Sequence, residues 1–211
     1  LLSDMTSHVA RAGDEIPLEG LTEKWSGDAD FVADAPKENT TSMSIVDADG
    51  NMMCLTQSLG SAYGSGVMIP GTGVILNNFL NWTDLNPASP NALQPGQRLA
   101  MCMAPSISTR DGKGILALGT PGSYGILQTQ VQAMVGHVDF GLDVQAAIEM
   151  PRARLWDGKQ IYVERRVPHS VCIELSARGH DVVLLPDYSW RTGGMQAVSR
   201  DSDSGALAGA A

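Results

Sequence analysis

Cysteine is scarce in this chain of 211 residues, and what there is stands far apart: Cys54, Cys102 and Cys172. An odd number at such spacing excludes a disulfide framework and a CxxC metal site. The apolar surroundings of all three predict reduced, buried thiols. Histidine is equally thin, and His8, His137, His169 and His180 show no HxxH or HExxH spacing, so no zinc site is expected. Positive charge is short as well. The 14 Lys and Arg against 23 Asp and Glu leave a net charge of -9 without any basic cluster, which excludes the phosphate grip that a nucleic-acid partner needs. Arg165 and Arg166, beside Glu164, read as solvated surface. Long apolar runs are missing too. The nearest candidate, "VMIPGTGVIL", is interrupted by Pro and Gly and falls well below the roughly 20 residues that span a bilayer, so no membrane association is expected.

What is present is enough for a sizeable core. Hydrophobic residues make up 43% of the chain and charged ones 18%, which fits one domain or part of a larger one. Residues 1–39 are polar, acid-rich and broken up, and read as a linker with a possible short helix over Leu1–Arg11. The first residue, Leu1, opens no signal-like segment, and the chain closes on "SGALAGAA". Both ends read as cut from something longer, so the compartment is unknown, with the cytoplasm as the default.

From Thr41 the pattern turns to strands. Met43 and Ile45, then Met52, Cys54 and Leu55, flank "VDADGN", whose Asp-Gly step predicts a hairpin. A second hairpin is expected at "VMIPGTGVIL", with Pro70 and Gly71 at the turn. Residues 85–98 read as an extended loop, followed by buried strands at "LAMCMAPSIS" and "GILALGTPG". The spacing of Ile126, Leu127, Val131, Met134, Val135 and Val138 predicts a helix over Tyr124–Val138 with these residues on its buried face. His137 lies beside that face and reads as structural. A shorter helix, "LDVQAAIEM", stops at Pro151, and a third runs over Pro168–Arg178 with Gly179 as its cap. Strands "QIYVE", "DVVLLP" and "MQAVS" complete the chain. Strands, helices and strands again, without regular βα alternation, indicate an α+β fold.

Two places can supply chemistry. Thr40 follows Asn39 at a loop-to-strand boundary. A threonine hydroxyl is a poor nucleophile unless a base lies within hydrogen-bond reach. Breaking the Asn39–Thr40 bond would supply one, an α-amine with an unperturbed pKa of roughly 8. Equally, a Thr-Thr pair at a strand start can be there for its β propensity alone. The second place is "LGTPGSYG", residues 118–125, which joins an apolar strand to a helix. Its turn leaves backbone N–H groups at a helix start, free to face a developing oxyanion; the alternative is a plain Ser123 cap.

Taken together and in order, "TTSMSIVDADGN", "YGSGVMIPGTGVILNN", "PGQR" with "MAPSI", "LGTPGS" and "VDFGLDVQAAIEMPRARLW" resemble the small catalytic subunit of the γ-glutamyltranspeptidase family of N-terminal nucleophile hydrolases. The resemblance implies a four-layer αββα sandwich and a proenzyme that cuts itself before a threonine. Residues 1–39 would then be the tail of the large subunit, and residues 40–211 the small subunit that pairs with it. It further implies Thr40 as nucleophile, Ser58 as the hydroxyl that steadies it, and the Gly122 and Ser123 amides as oxyanion donors, with no cofactor. The family's donor-binding positions map to Gly60, Phe79, Trp82, Met101 and Cys102. In the family these are an asparagine, a glutamine, an aspartate and a serine pair, so the pocket here has lost its polarity. Ser42 also departs from the family's Thr-Thr-His start. Expected activities are hydrolysis or transfer of γ-glutamyl amides. The alternatives are a relative that takes another acyl group, of glutaryl-cephalosporin or oxamate type, and an inactive binding protein. Assembly into an oligomer of heterodimers stays open.

Overall fold

The Asp-Gly step folds as its chemistry demands. Strand β1 (Glu38–Val46) turns through Asp47–Asn51 into β2 (Met52–Ser61), and the two pair antiparallel. The Asp47 carboxylate organises the turn by accepting from Asp49 N (3.0 Å), Asn51 N (2.8 Å) and Asn51 Nδ2 (2.8 Å). These bonds, the Asn51 side chain's foremost, hold Asp47 below the usual carboxylate range. The computed structural model describes residues 38–211. The linker residues 1–37, with the expected helix over Leu1–Arg11, lie outside the described residues.

Alternation splits the hairpin into two unlike faces. Ser42 and Thr56 are buried and Ser44 and Cys54 half-buried on one face, while Met43, Ile45, Met53 and Leu55 are exposed on the other. The small polar face packs on a four-stranded antiparallel sheet of order β3–β4–β8–β9: Ser106–Arg110, Lys113–Gly119, Gln196–Arg200 and Leu207–Ala210. The approach is close. A methyl group on Gly119 would come within 2.1 Å of Ser42 Oγ and 3.0 Å of Cys54 Sγ, and Ser44 Oγ donates to Gln196 O at 3.1 Å.

On the other side of this sheet lie α1 (Ile126–Val138) and α2 (Val144–Glu149), the latter capped by Asp143 accepting from Ala146 N at 2.8 Å. Leu116, Leu118, Met195, Ala197 and Ala210 of the sheet region meet Ala133, Val144 and Ile148 of the helices in one apolar core. A separate three-stranded sheet, β5 (Ala153–Asp157), β6 (Gln160–Glu164) and β7 (Asp181–Leu185), has a parallel β6–β7 pair bridged by α3 (His169–Ala177). The fold is α+β. Its main body layers helices, a four-stranded sheet and a hairpin.

Several expectations change. The α1 face is only partly the expected one: Ile126 is buried and Met134 packs against the core as expected, but Thr129, Gln130, Ala133 and Gly136 are the other buried residues, whereas Leu127, Val131, Val135 and Val138 are exposed. Of the buried polar groups, Thr129 Oγ1 donates to Gly125 O (3.0 Å) and Gln130 Nε2 donates to Ala104 O (2.8 Å) and Ser106 Oγ (2.7 Å), while Gln130 Oε1 is buried without a hydrogen-bond partner. The helix begins at Ile126 because Ser123–Gly125 forms a 3-10 turn. The hairpin at "VMIPGTGVIL" does form, as a minimal one with an antiparallel Met68–Ile75 bridge, Ile69 N donating to Val74 O and Leu76 N to Val67 O (both 2.9 Å) and a turn at residues 70–72, whereas residues 99–105 form no strand. Arg166 is not simply solvated. It pairs with the fully buried Glu164 at 2.6 Å, donates to Glu149 O and Asp187 O, and lies 3.8 Å over the Tyr188 ring. His137 is satisfied locally, its Nδ1 2.7 Å from Leu142 O. No disulfide joins the three cysteines, of which Cys102 and Cys172 are buried and Cys54 is half-buried.

Candidate active site

The site grows from an irregularity in the hairpin. Asn39 pairs with Gly60 but Thr40 pairs with Ser58, so Leu59 is an extra residue on β2. Such a bulge re-aims the side chains beside it. Thr40 Oγ1 donates to Ser58 Oγ at 3.0 Å, and Gly60 N donates to the same oxygen at 3.0 Å. The two hydroxyls named from the sequence are thus in direct contact, and Thr40 stays half-buried.

Gly60 is held by a neighbour that the sequence reading did not single out. Its φ is +93°, a conformation that suits glycine, and a methyl group there would lie 2.1 Å from Asn78 Oδ1. Asn78 is fixed in turn: its Nδ2 donates to Ser61 Oγ at 2.8 Å and its N to Leu59 O at 2.9 Å. The Asn78 amide therefore fills the space that a side chain at position 60 would take.

The other half of the site comes from the end of β4. That strand runs alongside the hairpin toward Thr40, since Gly114 faces Met52 at the hairpin's turn end and Gly119 faces Ser42. The chain then continues through Thr120 and Pro121 into Gly122 (φ 131°) and Ser123 (φ 53°). Ser123 takes a left-handed conformation that disfavours a side chain, and its Oγ is buried with no hydrogen-bond partner. The Gly122 carbonyl accepts from Gly125 N at 2.9 Å and from Arg154 Nη1 at 3.1 Å. Arg154, on β5, is 4% exposed and also donates to Arg191 O at 3.0 Å.

Beside these parts stands an aromatic wall. Phe79 lies 3.6 Å from where a methyl group on Gly60 would sit, meets Trp82 edge to face (5.3 Å), and Trp82 stacks on Tyr124 (4.8 Å, 26°). Gly60, Phe79 and Trp82 are therefore brought together, joined by Tyr124. Asn91 ties the following segment to them: its Nδ2 donates to Trp82 O (2.6 Å) and its Oδ1 accepts from Ala100 N (3.3 Å). Met101 next in line is exposed and Cys102 buried. Asn78, Tyr124 and Arg154 were not singled out as site residues in the sequence, where Arg154 follows Arg152 in the run "RARLW" after Pro151. No cluster of metal-binding side chains occurs among the described residues. A polar cleft of about 260 Å³, lined by residues including Arg110, Asp111, Lys113 and Arg200, lies toward the opposite end of the hairpin and includes none of the expected site residues.

Solved structures share this architecture. Gamma-glutamyltranspeptidase from Pseudomonas nitroreducens, complexed with L-DON, superposes with a TM-score of 0.70 at 33% identity, covering 81% of this chain and 93% of that one. A cephalosporin acylase from Bacillus halodurans superposes with a TM-score of 0.74 at 34% identity, covering 80% of this chain and 31% of that one. The architecture is the α+β sandwich of the N-terminal nucleophile hydrolases. The sequence model described as Gamma-glutamyltranspeptidase matches residues 5–211, and the chain belongs to that family. Among curated relatives, the Acylase ACY 1 proenzyme of Pseudomonas sp. (strain SE83) is 37% identical over 174 residues, 82% of this chain and 30% of the relative. The Glutathione hydrolase proenzyme of Bacillus subtilis (strain 168) is 32% identical over 178 residues, 84% of this chain and 30% of the relative. This chain thus spans about a third of the length of these curated relatives.

Proposed function

We propose that this chain carries the catalytic half of an amidohydrolase or acyltransferase whose nucleophile is Thr40, exposed by cleavage after Asn39. The observation that carries the reading is the Thr40–Ser58 hydroxyl pair at 3.0 Å, set at a bulge beside the β4–α1 turn, in a chain of this family. The names of its relatives, a glutathione hydrolase proenzyme and an acylase proenzyme, support amide chemistry after maturation.

The chemistry follows from one residue holding two groups. With the bond to Asn39 cut, the Thr40 α-amine, whose unperturbed pKa is roughly 8, is present in part as the free base near neutrality, and that form accepts a proton. It takes the hydroxyl proton as Oγ1 attacks the amide carbonyl, then gives that proton to the leaving amine. Ser58, bonded to Oγ1, fixes its rotamer. The N–H groups of Gly122 and Ser123 hold the oxyanion, where one well-placed donor is worth about 10²–10³ in rate. Water or an acceptor amine then releases the acyl group. Self-cleavage uses the same hydroxyl, which attacks the Asn39 carbonyl to give an ester that water opens. Residues 1–39 are then the tail of the large subunit that partners residues 40–211.

One observation favours a donor other than γ-glutamyl. At the positions that resemblance gives to donor binding, Gly60 brings no side chain and Phe79 and Trp82 join Tyr124 in an aromatic wall. A zwitterionic head there would lose water without gaining ionic partners from these residues. Thr40→Ala in the full-length proenzyme tests the main reading: one uncut band on a denaturing gel and no amide hydrolysis are expected. Two bands from that variant would end it. Rates on γ-glutamyl and glutaryl p-nitroanilides test the donor, and a strong demand for the α-amino group would remove the second reading.

A further inference from the structure

We propose that Arg154 is a positioning residue for the oxyanion site, acting through the peptide bond between Gly122 and Ser123. This inference rests on the oxyanion role proposed for that turn. The carbonyl and the N–H of one peptide unit are electronically coupled, so a donor placed on the Gly122 oxygen strengthens the Ser123 N–H on the far side of the same bond. Arg154 Nη1 supplies such a donor at 3.1 Å, and it is charged. Gly125 N supplies the second at 2.9 Å, so both lone pairs of the Gly122 oxygen are engaged.

The arginine is built in for this task. At 4% exposure its charge is barely screened by solvent, and its Nη1 bridges Gly122 O and Arg191 O (3.0 Å), linking the turn to the loop before β8. The guanidinium also lies over the Trp156 ring, 5.0 Å from its centre. Gly125 makes the room, since a methyl group there would come within 2.9 Å of Nη1. The same bond holds Ser123 in its left-handed conformation, against the preference of a residue with a side chain.

The test uses the full-length proenzyme, with rates on the better turned-over of glutaryl and γ-glutamyl p-nitroanilide expressed per mole of chain beginning at Thr40. Arg154→Ala should lower kcat by about tenfold or more while KM changes little, because the polarised N–H matters most once charge develops on the oxygen. Arg154→Lys, which keeps one charged donor, should recover part of the loss. Millimolar guanidinium should raise the kcat of Arg154→Ala and leave wild type unchanged. A purely structural arginine would lower melting temperature without a kcat-selective loss or rescue. Unchanged kcat in Arg154→Ala, or a loss carried by KM alone, overturns the proposal. Replacing the Gly122–Ser123 amide by an ester removes the N–H itself. Full kcat in the ester protein would sink the oxyanion assignment, whereas a slow ester protein with an unaffected Arg154→Ala would sink only the role given to Arg154.

Discussion

Restoring a side chain at position 60 should damage the fold before it changes recognition. In Gly60→Ala, the new Cβ would sit 2.1 Å from Asn78 Oδ1, a distance no real contact shows, so the Asn78 amide must move. Moving it strains or breaks its 2.8 Å bond to Ser61 Oγ, worth about 1 kcal/mol. The backbone adds its own term, because φ is +93° and holding a non-glycine residue in such a region costs about 1–3 kcal/mol. Together these predict a loss of about 2–4 kcal/mol, or roughly 5–15 °C in melting temperature for a domain of this size. Thermal melts of Gly60→Ala, Asn78→Gly and the double variant measure it. The double variant removes the clash but not the strain, so it should lose at least about 1 kcal/mol less than the sum of the singles. A Gly60→Ala melt matching wild type, or strict additivity, would refute the account of Asn78 as the occupant of that space.

Other consequences can be checked as directly. Ser123→Gly releases a left-handed serine and removes a buried hydroxyl without a partner, so it should stabilise the protein by about 1 kcal/mol in urea unfolding. Glu164 is fully buried and accepts from Arg166 Nη2 (2.6 Å), Thr192 Oγ1 (2.7 Å) and Arg152 N (3.0 Å), so Glu164→Ala should cost about 3–5 kcal/mol and Glu164→Gln clearly less. The depressed Asp47 contributes stability that is complete above its ordinary value of 3.8 and fades as pH falls through its lower folded value. Carboxyl NMR should therefore show Asp47 titrating below 3.8, and Asp47→Asn should remove that part of the acid sensitivity.

Local chemistry made much of the fold legible. The Asp-Gly turn and the stop at Pro151 are settled by neighbours within a few residues, and the first hairpin and the end of α2 follow from them. The apolar stripe of α1 was legible as a stripe, but periodicity reports which side is apolar and not which side the chain covers. Tertiary packing set Thr129 and Gln130 inside instead, with their bonds supplied by Gly125, Ala104 and Ser106. Strand β9, "LAGA", has no strand signature and exists through pairing with β8. In the site, Thr40 and Ser58 were reachable through resemblance. Asn78 and Arg154 were not, because each acts on a residue 18 or 32 positions away and no spacing in the sequence announces the contact.

The bulge at Leu59 also governs what scission would leave behind. From Thr40 through Val46 every residue stays zippered to β2, so a break before Thr40 would create a chain end one rung from solid ladder, with no slack tail to fray. A freshly made terminus would thus be born in place: its amine could swing about a single Cα while the hydroxyl stays moored to Ser58, and maturation would need no refolding of the strand that bears it.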